Sequence, residues 1–594
     1  MSEQAFTRWG RDLDPDHVLQ EYPRPQLVRD SYLNLNGWWD YAITSADEAA
    51  SAYDGRILVP FSPEAPLSEV GRQLQPDERL TYHRLLTLPE GFVPEGGRVL
   101  LHFGAVDQTC TVLLNDVEVG RNVGGYQSFT CDLTDALRPG ENVLVVVVRD
   151  LSDRHDHATG KQRLHKGGIW YTAQSGIWQT VWLEAVPARY VDHVDLVPDL
   201  ADASVTVTVH GSAGEADVAE IAVLANHEVL ARGQAPLGEP IRLGLPDVHP
   251  WSPEDPFLYD VEVTLDEDRV RSYVGMRSLG VGPDEHGVPR LLLNGRPYFQ
   301  AGVLDQGYWP DGLMTAPSDD ALVHDIATMK RLGFTMLRKH VKVESLRWYH
   351  HCDRLGMLVW QDLPNGGGRY RTAAVTWPGN LPIRLDDTRH RDWLGRPDQH
   401  SREVFREELR RTVRQLRNVP SLAAWVAFNE GWGQFDATSV AEELRTLDPT
   451  RPIDHASGWH DQGGGDLHSV HVYARHFRVP RGRDRRALVL SEYGGRSLLL
   501  EGRVYADAER TFGYGSEQSP AGLTDWFVGL HQEQLAPAVA QGLSASVYTQ
   551  LSDVEGEVNG LLTYDREMVK VSSDAVRAAL RLLSLPLPSS VTTG

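Results

Sequence analysis

The chain has 594 residues and a formal charge of −24, from 58 Lys and Arg against 82 Asp and Glu, with 41% hydrophobic and 24% charged residues. This is the composition of a globular chain of several domains, and its acidity excludes the positive footprint that a nucleic acid or an anionic membrane surface requires. Three cysteines (Cys110, Cys131, Cys352) are too few for a disulfide framework or zinc cluster.

The opening MSEQAFTRWGRDLDPDH is polar and holds no secretory apolar core. The longest aliphatic run, Val143 to Val148, is far shorter than the ~20 residues of a membrane span, so a cytoplasmic location with no membrane partner is expected. Up to about residue 185 the pattern is short alternating stretches broken by Gly, Pro, Asn and Asp: Arg98 to Phe103, Cys110 to Leu114 with a turn at Asn115-Asp116, Val143 to Val148 after Pro139-Gly140, and Thr180 to Leu183. Many short strands with turn chemistry predict a β-sandwich or jelly roll. Ser204 to His210 and Tyr259 to Thr264 continue the alternation, and about 90 residues suit a second, smaller sandwich.

Near residue 290 strand-like apolar runs begin to alternate with helical stretches, the signature of a parallel sheet. Eight runs can be counted: Phe299–Leu304, Phe334–Arg338, Met357–Gln361, Leu422–Phe428, Ile453–Ala456, Leu467–Val472, Ala487–Ser491 and Ser544–Thr549. Helices are predicted over Ser318–Leu332, Glu403–Arg417, Thr438–Leu447, Leu523–Gln541 and Ser573–Leu583. Eight strands in about 300 residues make a (β/α)8 barrel, and the gap between the fifth and sixth runs is too short for a full helix. The expected architecture is a jelly roll (1–188), an immunoglobulin-like β-sandwich (189–283) and a TIM barrel (284–594).

Barrel chemistry sits at the C-terminal ends of the strands. The fourth run ends at Asn429-Glu430 and the seventh at Glu492, each a glutamate directly after an apolar strand. An unpaired carboxylate there is costly unless a ligand or water satisfies it. Two on one rim are what glycosidic bond cleavage uses, one as acid and one as base or nucleophile. Arg338 and His340 share parity on the second strand and should both face inward. The loop from Leu363 to His400 is long and carries Tyr370, Trp377 and Trp393, aromatic surfaces suited to the apolar face of a sugar. His468 and His471 have a loose metal-like spacing, but two-carboxylate chemistry needs no metal or cofactor, and none is expected. The acidic cluster Asp553, Glu555 and Glu557 after the last strand reads as a polar rim.

The motifs Phe428-Asn429-Glu430-Gly431-Trp432 and Ser491-Glu492-Tyr493-Gly494 resemble the acid/base and nucleophile motifs of family 2 glycoside hydrolases. The resemblance extends along the chain through Phe103 to Asp107, Gly124-Gly125-Tyr126, Ser175 to Trp182, Trp251 to Tyr259, Val274 to Arg277 and Cys352 to Gly356. It implies Glu430 as general acid/base and Glu492 as nucleophile, Asn429 on the sugar 2-hydroxyl, Tyr473 orienting the nucleophile and Arg338 beside them; His340 and His471 on their strands and Trp377 in the long loop are further candidates for contact with the sugar. The common family pattern puts a histidine three residues after the arginine, whereas His340 follows Arg338 by two. Asp305 stands where many members carry basic residues or histidine, and is expected to meet a sugar hydroxyl. Asp362, in Trp360-Gln361-Asp362, resembles the form found in β-mannosidases and exo-glucosaminidases.

These features imply an exo-acting retaining β-glycosidase with a carbohydrate substrate, in a family that often forms homo-oligomers. Asn559-Gly560-Leu561 lacks the lysine of the Asn-X-Lys element of β-glucuronidases, arguing against that specificity. A β-galactosidase type is preferred, followed by β-mannosidase or β-galactofuranosidase. A non-catalytic carbohydrate-binding protein is the alternative of another class.

Overall fold

The computed structural model describes residues 6–585 except 155, 213–216, 380, 382, 474, 483 and 506–510. The run Val143 to Val148 lies in the strand Glu141–Arg149, where even-numbered residues are buried and odd ones turn toward solvent. Its neighbours complete a six-stranded antiparallel sheet between Gly37 and Arg149. A four-stranded sheet of Tyr32–Asn34, Val181–Val186, Arg98–Phe103 and Phe129–Asp132 faces it. Tyr82, Leu101, Phe103, Val112, Val146 and Leu183 fill the space between. Sheets of three and four strands between Val191 and Val274 form the second sandwich around Val207, Ile221, Val261 and Val263.

The N-terminal arm ties these bodies together. Arg29 is buried and grips both oxygens of Asp268 in the second sandwich (2.9 and 2.8 Å) and Glu184 in the first (2.7 Å). Thr7 bonds Asp311 of the barrel through its N–H and hydroxyl.

The barrel strands are β1 (Gln300–Asp305), β2 (Met336–Lys339), β3 (Leu358–Asp362), β4 (Leu422–Val426), β5 (Ile453–Asp454), β6 (Leu467–Val472), β7 (Ala487–Tyr493) and β8 (Leu543–Tyr548). All eight expected runs are present as one parallel sheet, with β1 paired to β8. β5 is two residues long and shares no ladder with β6; a backbone bond from Asp466 N to Ile453 O joins them instead. Leu304, Met336, Leu358, Trp360, Val426, Val489 and Val547 fill the lumen, which Leu291 and Trp251 close from below. The alternate residues Val303, Leu337, Val359, Trp425 and Leu490 face the helical layer.

The helix Asp319–Leu332 shows why that layer forms where expected. Ser318 caps its N-terminus by accepting from Ala321 N, acids occupy its first turn, and Gly333 ends it in the left-handed conformation. The expected helix Leu523–Gln541 begins earlier, at Pro520, and widens by one turn over His531–Leu535.

Candidate active site

Two local irregularities aim the glutamates. Strict alternation along β7 would send Glu492 outward with Leu488 and Leu490. The pairing of β6 with β7 shifts after Val470, so that His471 lies opposite Glu492 and Ser491 is the extra residue. A bulge of this kind reverses the facing of the residues beyond it, and here it turns Glu492 into the lumen. Glu430 sits just beyond β4 with φ of 49°, in the left-handed region, where a non-glycine residue is strained. Its N–H is held by Ser457 O at 2.9 Å.

The two carboxyl groups converge. One oxygen of Glu430, one of Glu492 and a ring nitrogen of His471 all lie within 4.8 Å of one another. The Tyr473 hydroxyl touches both glutamates, at 2.6 Å from Glu492 and 3.1 Å from Glu430. His471 bonds Glu430 through Nδ1 (2.9 Å) and Ser457 through Nε2 (3.0 Å). Burial opposes the charge on Glu492, but His471, His340, the Arg338 guanidinium and the Tyr473 hydroxyl outweigh it and hold its pKa down at about 2. Glu492 is therefore an anion at neutral pH.

Arg338 organises the floor. It is wholly buried, reaches both oxygens of Asp362 (2.9 and 3.1 Å), and donates to Glu492 (3.2 Å), Ser491 O (2.9 Å) and Asn429 Oδ1 (2.9 Å). Asp362 also bonds His340 Nδ1 at 2.7 Å. Because Arg338 occupies Asn429 Oδ1, the amide of Asn429 is oriented, and its Nδ2 is buried with no partner. A buried donor left unpaired is a strong invitation to a ligand oxygen. Glu430, Glu492, Asn429, Tyr473, His471, Arg338, His340 and Asp362 thus form one connected cluster.

Two expected sugar contacts stand outside this cluster. In the ladder of β1 with β2, Leu304 pairs with the lumen-facing Arg338, and Asp305 pairs with Lys339 on the opposite face. Asp305 points away from the lumen, accepting Lys339 Nζ (2.8 Å) and Gly307 N (2.8 Å). Trp377 is 53% exposed on a short turn whose Pro378 is buried in its place. The acidic cluster after β8 is likewise engaged: Glu557 takes the Tyr171 hydroxyl (2.5 Å), Glu555 takes Thr172 N (3.1 Å), and Asp553 pairs with Lys570 (2.7 Å).

A cavity of about 960 Å³ opens above the cluster, lined by Glu430, Tyr473, Trp432, Trp459, Tyr370 and Tyr514 together with Arg163 and Trp170 of the first domain. Trp170 packs on Trp432 (centroids 5.1 Å apart), and Tyr514 stacks on Tyr473 (3.8 Å). The contribution of the first domain was not foreseen from sequence, since nothing in Arg163 to Trp170 states which loop it will reach. A second hollow of similar volume lies around Glu254, Lys330 and Arg577, and its lining carries no carboxylate pair.

Three models of one family match in order: the sugar-binding domain of glycosyl hydrolases family 2 over residues 70–187, the family 2 central model over 190–277, and its TIM barrel domain over 289–499. The chain belongs to glycosyl hydrolase family 2. Similar curated proteins include a β-galactosidase of Klebsiella pneumoniae (strain 342), 27% identical over 409 residues, covering 64% of this chain and 36% of the relative. A β-mannosidase B of Aspergillus terreus is 26% identical, covering 62% and 45%. This family 2 chain thus spans less than half the length of either relative. In fold it is similar to a β-D-glucuronidase from Dictyoglomus thermophilum, with a TM-score of 0.71 at 18% identity over 95% of this chain and 99% of that one. No helix among the described residues is long and apolar enough to cross a membrane.

Proposed function

We propose that the chain is an exo-acting retaining β-glycosidase, with jelly-roll (1–188), sandwich (189–283) and catalytic barrel (284–594) units. The observation that carries this is the approach of Glu430 to Glu492 within 4.8 Å across one tyrosine hydroxyl. Carboxyl groups about 5–5.5 Å apart suit a double displacement, whereas an inverting pair leaves room for a water at about 6.5–9.5 Å.

The hydrogen bonds support distinct roles. Tyr473 has one proton, and the 2.6 Å contact to ionised Glu492 claims it. The same hydroxyl stands 3.1 Å from Glu430, so it lies against both carboxyl groups, and the role of acid falls to Glu430 because Glu492 is held as the anion. Glu492 attacks the anomeric carbon while Glu430 protonates the departing oxygen, giving a glycosyl ester and an alcohol. Glu430, now ionised, takes a proton from water as the water displaces Glu492, so the sugar leaves with its original configuration. Asn429 Nδ2 is placed to meet the 2-hydroxyl, and Arg338 and Asp362 keep that amide and the nucleophile in register.

For the sugar, a β-galactoside is preferred, with β-mannosides and β-galactofuranosides next. Similarity to the Klebsiella enzyme favours the first, and the Asp362 form with similarity to the Aspergillus enzyme favours the second. Hydrolysis of a panel of aryl β-glycosides, pyranosides and furanosides, tests the reading. Wild type is expected to release aglycone with retention, Glu492→Gln to be inactive, and Glu492→Ala to be rescued by azide on aryl substrates. Sugar binding without release of aglycone from any member would favour a carbohydrate-binding protein.

A further inference from the structure

Four lysines are buried among the described residues. Three have a carboxylate at hand: Lys339 has Asp305 (2.8 Å), Lys342 has Glu344 and Lys570 has Asp553 (2.7 Å). The fourth, Lys161, is 5% exposed, and its ammonium makes no ion pair or hydrogen bond to any described residue. It lies instead over two aromatic rings, 5.4 Å from the centroid of Tyr171 and 6.0 Å from that of Trp432. Trp432 lines the cavity beside Glu430, and the His340 ring lies 6.1 Å from it. The ammonium is close enough to His340 to disfavour a charge there, second to burial among the effects that do so. Glu557, whose oxygens accept from Tyr171 and Asn559, forms no ion pair with it.

The first domain places this lysine with care. Thr159 N and Gly160 N both donate to Asn365 O (2.8 and 3.0 Å) in the loop after β3. Gly160 has φ of 60°, and a Cβ there would stand 2.7 Å from Val341 O just past β2, so the chain can pass this close only as glycine. On the other side, Gln162 is held by Asp107 (2.9 Å) and by Gln174 N (2.8 Å).

We infer that Lys161 is a sugar-contacting, specificity-determining residue supplied by the first domain, its ammonium meeting an acceptor oxygen of the glycone held between Glu430 and Glu492. The inference rests on the two-glutamate reading above. The residue is buried but its ammonium keeps an accessible face, and aromatic rings offset part of the charge but accept little, so its three donors are open to a ligand. A sugar supplies the missing acceptors as ring hydroxyls or as a carboxylate. The barrel alone is then an incomplete site, and a uronic acid specificity does not need a lysine in the Asn559-Gly560-Leu561 loop.

The test uses the full chain with Lys161→Met, which keeps the apolar stem, and Lys161→Arg, which keeps the charge. On the best wild-type substrate, Lys161→Met is expected to lower kcat/KM by about 30- to 100-fold with an unchanged melting temperature, and Lys161→Arg to recover part of it. A loss larger on β-uronides than on the matching neutral glycosides identifies a carboxylate acceptor, and an equal loss on neutral glycosides identifies a hydroxyl. The inference is overturned if Lys161→Met keeps kcat/KM within twofold of wild type while Glu492→Gln is inactive. If wild type cleaves nothing, the two-glutamate reading itself has failed. Calorimetric titration with the free sugars then decides on Lys161, and equal affinities for wild type and Lys161→Met overturn its role.

Discussion

Replacing Tyr473 with Phe isolates the single group that joins the two glutamates. The ring remains, so its stacking on Tyr514 at 3.8 Å is kept and only the hydroxyl is lost. Glu492 then loses a 2.6 Å bond donated to its charged form, while Arg338 at 3.2 Å stays. A hydrogen bond to a charged group is worth about 1.5–3 kcal/mol, and 1.36 kcal/mol moves a pKa by about one unit. The nucleophile should therefore rise from about 2 to ~3–4.

The direction is set by which form is active. Attack needs ionised Glu492, so stabilising its anion puts the acid limb of kcat/KM at low pH, and weakening that anion moves the limb upward. Measurement is by pH jump: enzyme held at neutral pH is mixed into acid with an aryl glycoside and read within seconds, before unfolding intervenes. The acid limb of Tyr473→Phe should lie about 1–2 pH units above that of wild type. A limb that stays in place or moves down would show that the hydroxyl does not hold the nucleophile ionised.

Asn429→Ala should lower kcat/KM by about 10- to 100-fold, and a 2-deoxy glycoside should lose nothing further in that variant, whereas it loses heavily with wild type; additive losses would separate Asn429 from the 2-hydroxyl. Arg29→Ala leaves Asp268 buried without its cation at the junction of the sandwiches, while Arg24 still holds Glu184, and should cost about 3–5 kcal/mol in urea unfolding, with kcat near native in the folded enzyme. Trp377→Ala should leave kcat/KM within twofold of wild type and Trp432→Ala should reduce it by tenfold or more, since only the second ring lines the cavity.

The barrel was readable because its strands are apolar runs at regular intervals, and the glutamates because they stand at the ends of two of those runs. The clearest misreading, Asp305, had a remedy in the same alternation. Once Arg338 faces the lumen, its ladder partner Leu304 does so too, and Asp305 must turn outward toward Lys339. Glu492 shows the limit of that rule. Alternation alone would have sent it outward as well, and only the shift in pairing after Val470 brings it in. A bulge depends on how two strands meet, which neither strand states alone. Trp377 shows a different limit: the long loop carries Tyr370, Trp377 and Trp393, and nothing in the sequence says that Tyr370 lines the cavity while Trp377 is largely exposed.

The least legible part of the site is the portion that comes from another domain, and its geometry explains why. The (β/α)8 barrel fixes positions at its rim through ladders whose register runs from strand to strand, so one residue there constrains the next. Lys161 and Trp170 belong to a segment with only short pairings, Gln162–Arg163 with Tyr171–Thr172 and Gly167 with Trp170. Their place is set by contacts made after the domains have packed: two N–H groups on Asn365 O, Glu557 on Tyr171, and Trp170 on Trp432. Specificity built from such contacts can change through substitutions in the first domain while the carboxylates and their hydrogen bonds stay fixed. One fold can then keep a single mechanism and present it with different sugars.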